Sequence, residues 1–292
     1  MEWIQRATNP WGQEILVRAS WDLLWLALFG SAAFLLIHQV LRRRWIHKKA
    51  AVPSVEGLPE KVARHSLPSR LFHWSMAASM LVLLFTGFLP IVGIQFSWVT
   101  IHWWAGLVLI ATVIFHIIHA TVRWTFKEVW ISLRDIRDWW TGMTEALGGS
   151  KAPGKPGKYP VDNKLYHAAI VLTSLGVIVT GILMMAQIDT PFFERDSYTL
   201  SEGTVGLVFV VHGLSAIGLV ALVIAHIYFA ILPEKRWMTM SMFKGWIGRA
   251  DYAEYYDSDR WAISGDGASP PSASPPSEPA APPSEPAVGE ES

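Results

Sequence analysis

Five stretches of this chain are too long and too apolar for water to solvate them well: about Trp21–Leu41, Leu71–Ile91, Ile101–Val122, Leu165–Met185 and Gly206–Leu232. A helix needs roughly 20 mostly apolar residues to cross the hydrocarbon core of a bilayer, and a backbone in hydrocarbon must satisfy its own hydrogen bonds. The expectation is an all-α integral membrane protein with five spans. Composition fits that class, with 51% hydrophobic residues, 16% charged residues and 16 tryptophans among 292 residues. Trp98, Trp103, Trp104, Trp124 and Trp237 fall near the expected interfaces, where an indole keeps its face in lipid and its N–H in water.

The connections set the orientation. "VGIQFSW", between the second and third spans, carries no charge, and "QIDTPFFERDSYTLSEG", between the fourth and fifth, has one basic residue against four acidic ones. Arg42–Lys49, the run from Arg123 through Lys158, and then Lys235, Arg236, Lys244 and Arg249 make the other connections basic. The positive-inside rule therefore puts the N-terminus outside and the C-terminus inside. The first span does not read as a secretory signal, because its basic cluster "RRRWIHKK" follows the apolar run and the charges before it are mixed. The organisation expected is an outer segment over 1–20, a leading span over 21–41 and a basic cytoplasmic linker over 42–63. A four-helix domain with a cytoplasmic extension then covers 64–262, and a Pro/Ser/Ala/Glu tail of disordered composition covers 263–292.

Two features narrow the chemistry. The formal net charge is zero, so nothing provides the electrostatic footprint of a nucleic-acid partner. There is no cysteine, which excludes disulfides, covalently attached c-type haem and iron–sulfur clusters held by this chain's own thiolates.

Histidine supplies what cysteine does not. "HWWAGLVLIATVIFH" (His102–His116) and "HGLSAIGLVALVIAH" (His212–His226) each hold two imidazoles fourteen residues apart in otherwise apolar sequence. In a helix that spacing leaves the two side chains about 40° apart around the axis and about 21 Å apart along it. Each pair thus lies on one helix face, with one member near each side of the membrane. Ionisable groups inside a bilayer are costly and functional by default. Two imidazoles on opposite sides of a flat macrocycle fill the axial positions of a haem iron, which suits one-electron transfer. Zinc would need four ligands within a few ångströms.

Sorting the histidines by depth gives His102 and His212 at the starts of their helices on the outer face, as the ligands of an outer haem. The inner face is crowded. His226 pairs there with His116, His73 or His167, while His119 lies about 100° off the His102 face. His38, His47 and His65 read as structural or solvated. Arg70 shares a helix face with His73 and is a candidate propionate partner. Gly87, Gly106, Gly181, Gly213 and Gly218 either let a porphyrin edge approach the backbone or serve helix–helix contact. Lys158, Tyr159, Asp162 and Asn163 form a polar group at the mouth of the fourth span, a candidate quinone site or an ordinary helix entry with Asp162 near an N-cap.

From about Arg64 to Trp261 the chain resembles the gamma subunit of respiratory formate dehydrogenase, a four-helix di-haem cytochrome b related to the cytochrome b of membrane-bound nickel–iron hydrogenases. The resemblance rests on "RLFHW" (Arg70–Trp74), "IHWWAG" (Ile101–Gly106), "GKY…NKLYHAAIVL…VTGI" (Gly157–Ile182), "HGLSAIGLVALVIAHIY" (His212–Tyr228) and "KGWIGR" (Lys244–Arg249). It implies two b haems with bis-histidine ligation, the outer held by His102 and His212 and the inner by His73 and His226, leaving His116 as the alternative inner ligand. It also implies quinone as electron acceptor, with Tyr159 and Asn163 as candidate site residues. The chain departs from the pattern in its leading span, in Pro160 where Asn is common, and in Asn163 where Gln is usual.

The function expected is that of an electron-transfer subunit in the bacterial inner membrane. An iron–sulfur subunit and a catalytic molybdenum or nickel–iron subunit on the outer face would supply electrons, and quinone would be reduced on the cytoplasmic side. The complex is a candidate homo-oligomer. Alternatives are a cytochrome b serving a hydrogenase or another molybdoenzyme, a standalone di-haem quinone-linked oxidase, and a cofactor-free anchor.

Overall fold

The computed structural model describes residues 2–45, 57–123, 125–146, 148–149 and 154–263. His47, Trp124, half of the basic linker (residues 46–56) and all but the first residue of the Pro/Ser/Ala/Glu tail lie outside the described residues. The elements are β1 (Ile4–Thr8), β2 (Glu14–Ala19), α1 (Asp22–Trp45), β3 (Lys61–Ala63), α2 (Leu67–Phe88), α3 (Trp98–Val122), α4 (Leu133–Ala146), α5 (Val161–Met184), α6 (Glu202–Ile231), α7 (Arg236–Lys244), β4 (Trp246–Gly248) and α8 (Arg249–Tyr255). Among the described residues, five helices are long and apolar enough to cross a membrane: Asp22–Arg42, Leu67–Val92, Trp98–Val122, Val161–Gln187 and Glu202–Ile231. Their outward sides carry large exposed apolar groups, among them Phe29, Leu36, Ile117, Leu172 and Ile231. Such a continuous surface suits lipid, not water.

Local signals start and stop these helices. Ser66 caps α2 by accepting from the Ser69 amide, with Pro68 in the first turn. Ser201 does the same for α6 through the Thr204 amide. The connection from α2 to α3 turns at Gly93, whose φ of 94° few other residues tolerate. That short connection makes α2 and α3 one antiparallel helical hairpin, and α5 and α6 form a second. In the second hairpin a Cβ placed on Gly176 would stand 2.3 Å from Ser215 Oγ, so the absence of a side chain permits the close approach. Met80 of α2, Leu109 of α3 and Leu219 of α6 form the buried centre of the bundle, and α1 lies outside it against α6.

The segment before the first span is a β-hairpin, which its short and irregular alternation did not announce. β1 and β2 pair antiparallel, with a register shift between Gln5 and Arg6. Asn9 organises the turn by accepting from the amides of Trp11 and Gln13, and its amide donates to Glu202 Oε2 at 3.0 Å. β2 crosses α6 at Gly206, where a Cβ would lie 1.8 Å from the Leu16 carbonyl oxygen. Only glycine fits beneath that strand.

At the opposite, basic end a small module closes the bundle. β3 and β4 pair antiparallel, and Val62, Ile247, Tyr252, Tyr256 and Trp261 form its core. Gly245, with φ of 87°, ends α7, and its carbonyl accepts from the amides of Arg64 and His65, tying the approach to α2 to the end of α7. Arg64 is 4% exposed; its guanidinium donates to the Tyr256 hydroxyl and lies 5.2–5.8 Å from the ring centres of Tyr256, Trp261 and Tyr159. The cation is thus held by aromatic faces and a hydroxyl. His65 accepts from Arg64 Nε at 3.2 Å, and burial together with Arg64 holds its pKa down at about 3, so it is neutral at physiological pH. It is a structural residue, as is His38, whose Nδ1 sits 2.9 Å from the Tyr228 hydroxyl. Asp135 anchors α4 by pairing with Lys164 at 2.8 Å and Arg260 at 3.0 Å.

Replacing Gly206 with alanine is expected to displace the β-hairpin from α6 at a cost of about 1–3 kcal/mol, read as faster proteolysis within residues 2–20 while the spans stay intact. A second expectation concerns acid. Burial raises the Asp135 pKa, but hydrogen bonds from Lys164 and Ser132 outweigh it and hold the value at about 2. A depressed carboxylate pKa adds stability that is complete above pH ~4 and is lost as pH falls through ~2. Hydrogen exchange in α4 is expected to rise over that window, and Asp135→Asn to raise it at neutral pH and flatten the dependence.

Candidate functional site

The bundle carries imidazoles at two levels. His102 sits one turn into α3, but His212 does not begin its helix: α6 starts at Glu202, about 15 Å earlier at 1.5 Å per residue. From the sequence both stand at helix starts, although the apolar run already begins at Gly206, six residues before His212. The structure adds a polar-capped extension to α6, and β2 packs on that extension. The two histidines nonetheless meet at one level, with ring centres 6.3 Å apart and planes at 59°.

Each ring at this level is held by a threonine from the other helix of its own hairpin. Thr86 Oγ1 lies 2.7 Å from the Val82 carbonyl and 2.8 Å from His102 Nδ1. A hydroxyl has one hydrogen, and the carbonyl can only accept. The threonine therefore donates to the carbonyl and accepts from Nδ1–H, leaving the Nε2 lone pair free. Thr180 repeats the arrangement, donating to the Gly176 carbonyl and accepting from His212 Nδ1–H at 2.9 Å. Neutral imidazole with Nδ1 protonated and Nε2 free is the form that binds a metal, and a partner on the other nitrogen fixes that tautomer. The residue after each threonine is glycine, and a Cβ there would contact the imidazole Cε1, at 3.6 Å from Gly87 to His102 and 3.7 Å from Gly181 to His212. These threonines were not singled out from the sequence. The recurring "TG" in "FTGF" and "VTGI" was the available signal.

The second level lies at the basic end. His73 of α2 and His226 of α6 have ring centres 6.1 Å apart, with planes at 44°. Nδ1 of His73 is buried without a partner among the described residues, while the His226 ring stacks on Tyr166 at 5.2 Å and 22°. His116, the alternative partner for His226, instead stacks on Phe72 at 4.0 Å and faces His167. His119 stacks on Phe115 and joins neither pair.

Separations near 6 Å are ordinary for packed aromatic rings, so distance alone does not define a metal site. It does test one. A metal–imidazole bond of about 2.0 Å, with the ring centre about 1.1 Å beyond the nitrogen, puts two trans rings roughly 6.2 Å apart and two tetrahedral ones roughly 5 Å apart. Both pairs fit trans ligation of a single iron. The free Nε2 atoms, the matched glycines and the unpartnered His73 nitrogen fit it as well.

The remaining candidates separate by contact. Of the five glycines, Gly87 and Gly181 face imidazoles, Gly213 faces Ala19 of the β-hairpin, Gly218 faces Thr173 of α5, and Gly106 faces open space. The Arg70 guanidinium donates to the Phe243 carbonyl and packs on Gly245, while its Nε has no hydrogen-bond partner among the described residues. Lys158 pairs with Glu128 at 2.8 Å and Asp162 with Lys235 at 3.4 Å. The N-cap of α5 is Pro160, and Asp162 stands two residues on, in the first turn. Burial raises the pKa of Tyr159, which lies against Arg64 and His65. Among the described residues, the Asn163 amide donates only to the Met238 sulfur, at 3.8 Å, and is the least committed polar group at the mouth of α5.

Residues 64–245, which hold both levels, match the family model described as prokaryotic cytochrome b561. Over 205 residues, 64% of this chain and 77% of the relative, the sequence is 26% identical to the formate dehydrogenase cytochrome b556 subunit of Haemophilus influenzae. The five spans and this match identify the chain as a member of the prokaryotic cytochrome b561 family, a haem b-binding, multi-pass protein of the bacterial inner membrane.

Proposed function

We propose that this chain is the membrane electron-transfer subunit of a formate dehydrogenase-like respiratory complex, carrying electrons from an iron–sulfur partner at the β-hairpin end to quinone at the basic end. The observation that supports it most is the two-level stack of trans-spaced imidazole pairs, with α6 contributing one member to each. His102 and His212 hold the outer b haem, and His73 and His226 the inner one. When bound, these groups supply one-electron transfer, since six-coordinate iron has no open position for a substrate. The basic loops, read by the positive-inside rule, support a β-hairpin outside and a C-terminus in the cytoplasm.

The chain's own residues then have distinct tasks. Thr86 and Thr180 hold the outer imidazoles in the ligating tautomer, and Gly87 and Gly181 leave room beside them. Arg70, beside His73 at the basic end, supplies positive charge for a propionate. Tyr159 and Asn163 lie where quinone reduction, which takes up two protons, has access to the cytoplasm. Electrons moving inward with protons drawn from inside build a potential, at about 2.3 kcal/mol per charge per 100 mV. The relative in Haemophilus influenzae is a subunit of formate dehydrogenase, so catalytic chemistry in a separate outer subunit is the matching arrangement here.

His102→Ala and His212→Ala are each expected to remove one haem, measured by pyridine haemochrome; unchanged haem content in either variant would falsify the outer assignment. His73→Ala is expected to abolish the inner haem. Thr86→Val removes the acceptor that makes His102 a stronger electron donor to iron. It is expected to raise the outer midpoint potential by roughly 20–60 mV, the equivalent of one hydrogen bond of 0.5–1.5 kcal/mol. A potentiometric titration that finds no shift would remove the threonine from this role.

A further inference from the structure

The two helical hairpins are copies of one another. Residues 71–88 of α2 align without gaps on 165–182 of α5, matching Leu71 with Leu165, His73 with His167, Thr86 with Thr180 and Gly87 with Gly181. Residues 102–117 of α3 align on 212–227 of α6, matching His102 with His212, Leu109 with Leu219 and His116 with His226. The first helix of each copy runs in the same direction, so a pseudo-two-fold axis along the bundle relates the copies. The outer site maps onto itself under that axis: its two histidines, two threonines and two glycines exchange.

The inner site does not map onto itself. Exchanging the copies sends His73 and His226 to His167 and His116. The structure brings these two together as well, with ring centres 6.4 Å apart and planes at 64°, against 6.1 Å and 6.3 Å for the other pairs. Even the supports repeat. Phe72, beside His73, stacks on His116, and Tyr166, beside His167, stacks on His226. The histidine pair and its flanking aromatics therefore repeat together.

We propose that His116 of α3 and His167 of α5 form a third trans-imidazole site, which takes a further b haem beside the inner one. This rests on the proposed reading of the other two pairs. The donor set selects the ligand class. Among the described residues no cluster of three or more His, Cys, Asp or Glu side chains exists that could hold a bare metal ion. A free divalent ion held by two imidazoles lacks at least two donors. An iron porphyrin brings four donors in a plane and lacks only two, trans to each other. The ring separation matches that trans arrangement and exceeds the roughly 5 Å of a tetrahedral site. A third haem would double the one-electron capacity at the level where a two-electron acceptor is reduced.

The test is haem counted per chain in the complex purified from its own membrane, by pyridine haemochrome against amino-acid analysis. Three haems are expected, falling to two in His116→Ala and in His167→Ala. His116→Phe, which keeps the ring volume, should also give two, and retention of the outer haem in a redox titration shows that each variant is folded. Two haems in the wild type, unchanged in these variants, would overturn the third site and leave the two-haem reading standing. Two haems that fall to one in His116→Ala, but not in His73→Ala, would overturn both the third site and the His73 assignment. A colourless wild type would end the electron-transfer reading itself.

Discussion

A peptide group in hydrocarbon has no water to bond, and every other feature of this protein depends on that constraint. It turns the apolar segments into regular helices. Regular helices make fourteen residues a fixed length and a nearly fixed bearing. The two histidine levels exist because α6 is long and unbroken from Glu202 to Ile231. Polar groups that remain in the membrane are settled locally: Thr86, Thr112, Thr173 and Thr180 all donate to the carbonyl four residues back. In two of them the hydroxyl oxygen then serves a neighbouring helix, which is how a structural habit of membrane threonines becomes a support for an imidazole.

The sequence made much of this legible. The spans were visible because each one exceeds the length of a soluble core helix, and the His102–His116 and His212–His226 ladders because polar residues stand out against such a background. Helix ends were less legible: α6 begins about a turn before its apolar run, since Ser201 and Glu202 make a polar start. The β-hairpin was not legible at all. Its strands are short and largely exposed, and its turn is tied through Asn9 to Glu202, a partner far along the chain. Nor does periodicity distinguish a threonine that only bonds its own helix from Thr86 or Thr180. That distinction lies in the packing of one helix on its neighbour, as does the pairing of His116 with His167 instead of His226.

The two ends of the bundle solve different problems. At the basic end, the chain emerges from lipid with more cations than carboxylates. Asp135 takes two of those cations, Lys164 and Arg260, and Arg64 is buried among aromatic faces instead. The result is an ordered module that fixes the starts of α2 and α5, the helices that carry His73 and His167. At the hairpin end the protein uses backbone proximity: β2 lies directly on the Gly206 surface of α6, and the first span then leads away along the outside of the same helix.

α6 thus carries the β-hairpin, His212 and His226 on a single rod. Side chains along it can be exchanged singly, because each touches only its own neighbours. Its residue count is different. One residue inserted between His212 and His226 would advance everything beyond it by about 1.5 Å and swing it by about 100°, turning His226 away from His73. Evolution of this helix is therefore free in spelling and constrained in arithmetic, and drift among relatives should show substitutions throughout the interval and no insertions or deletions within it.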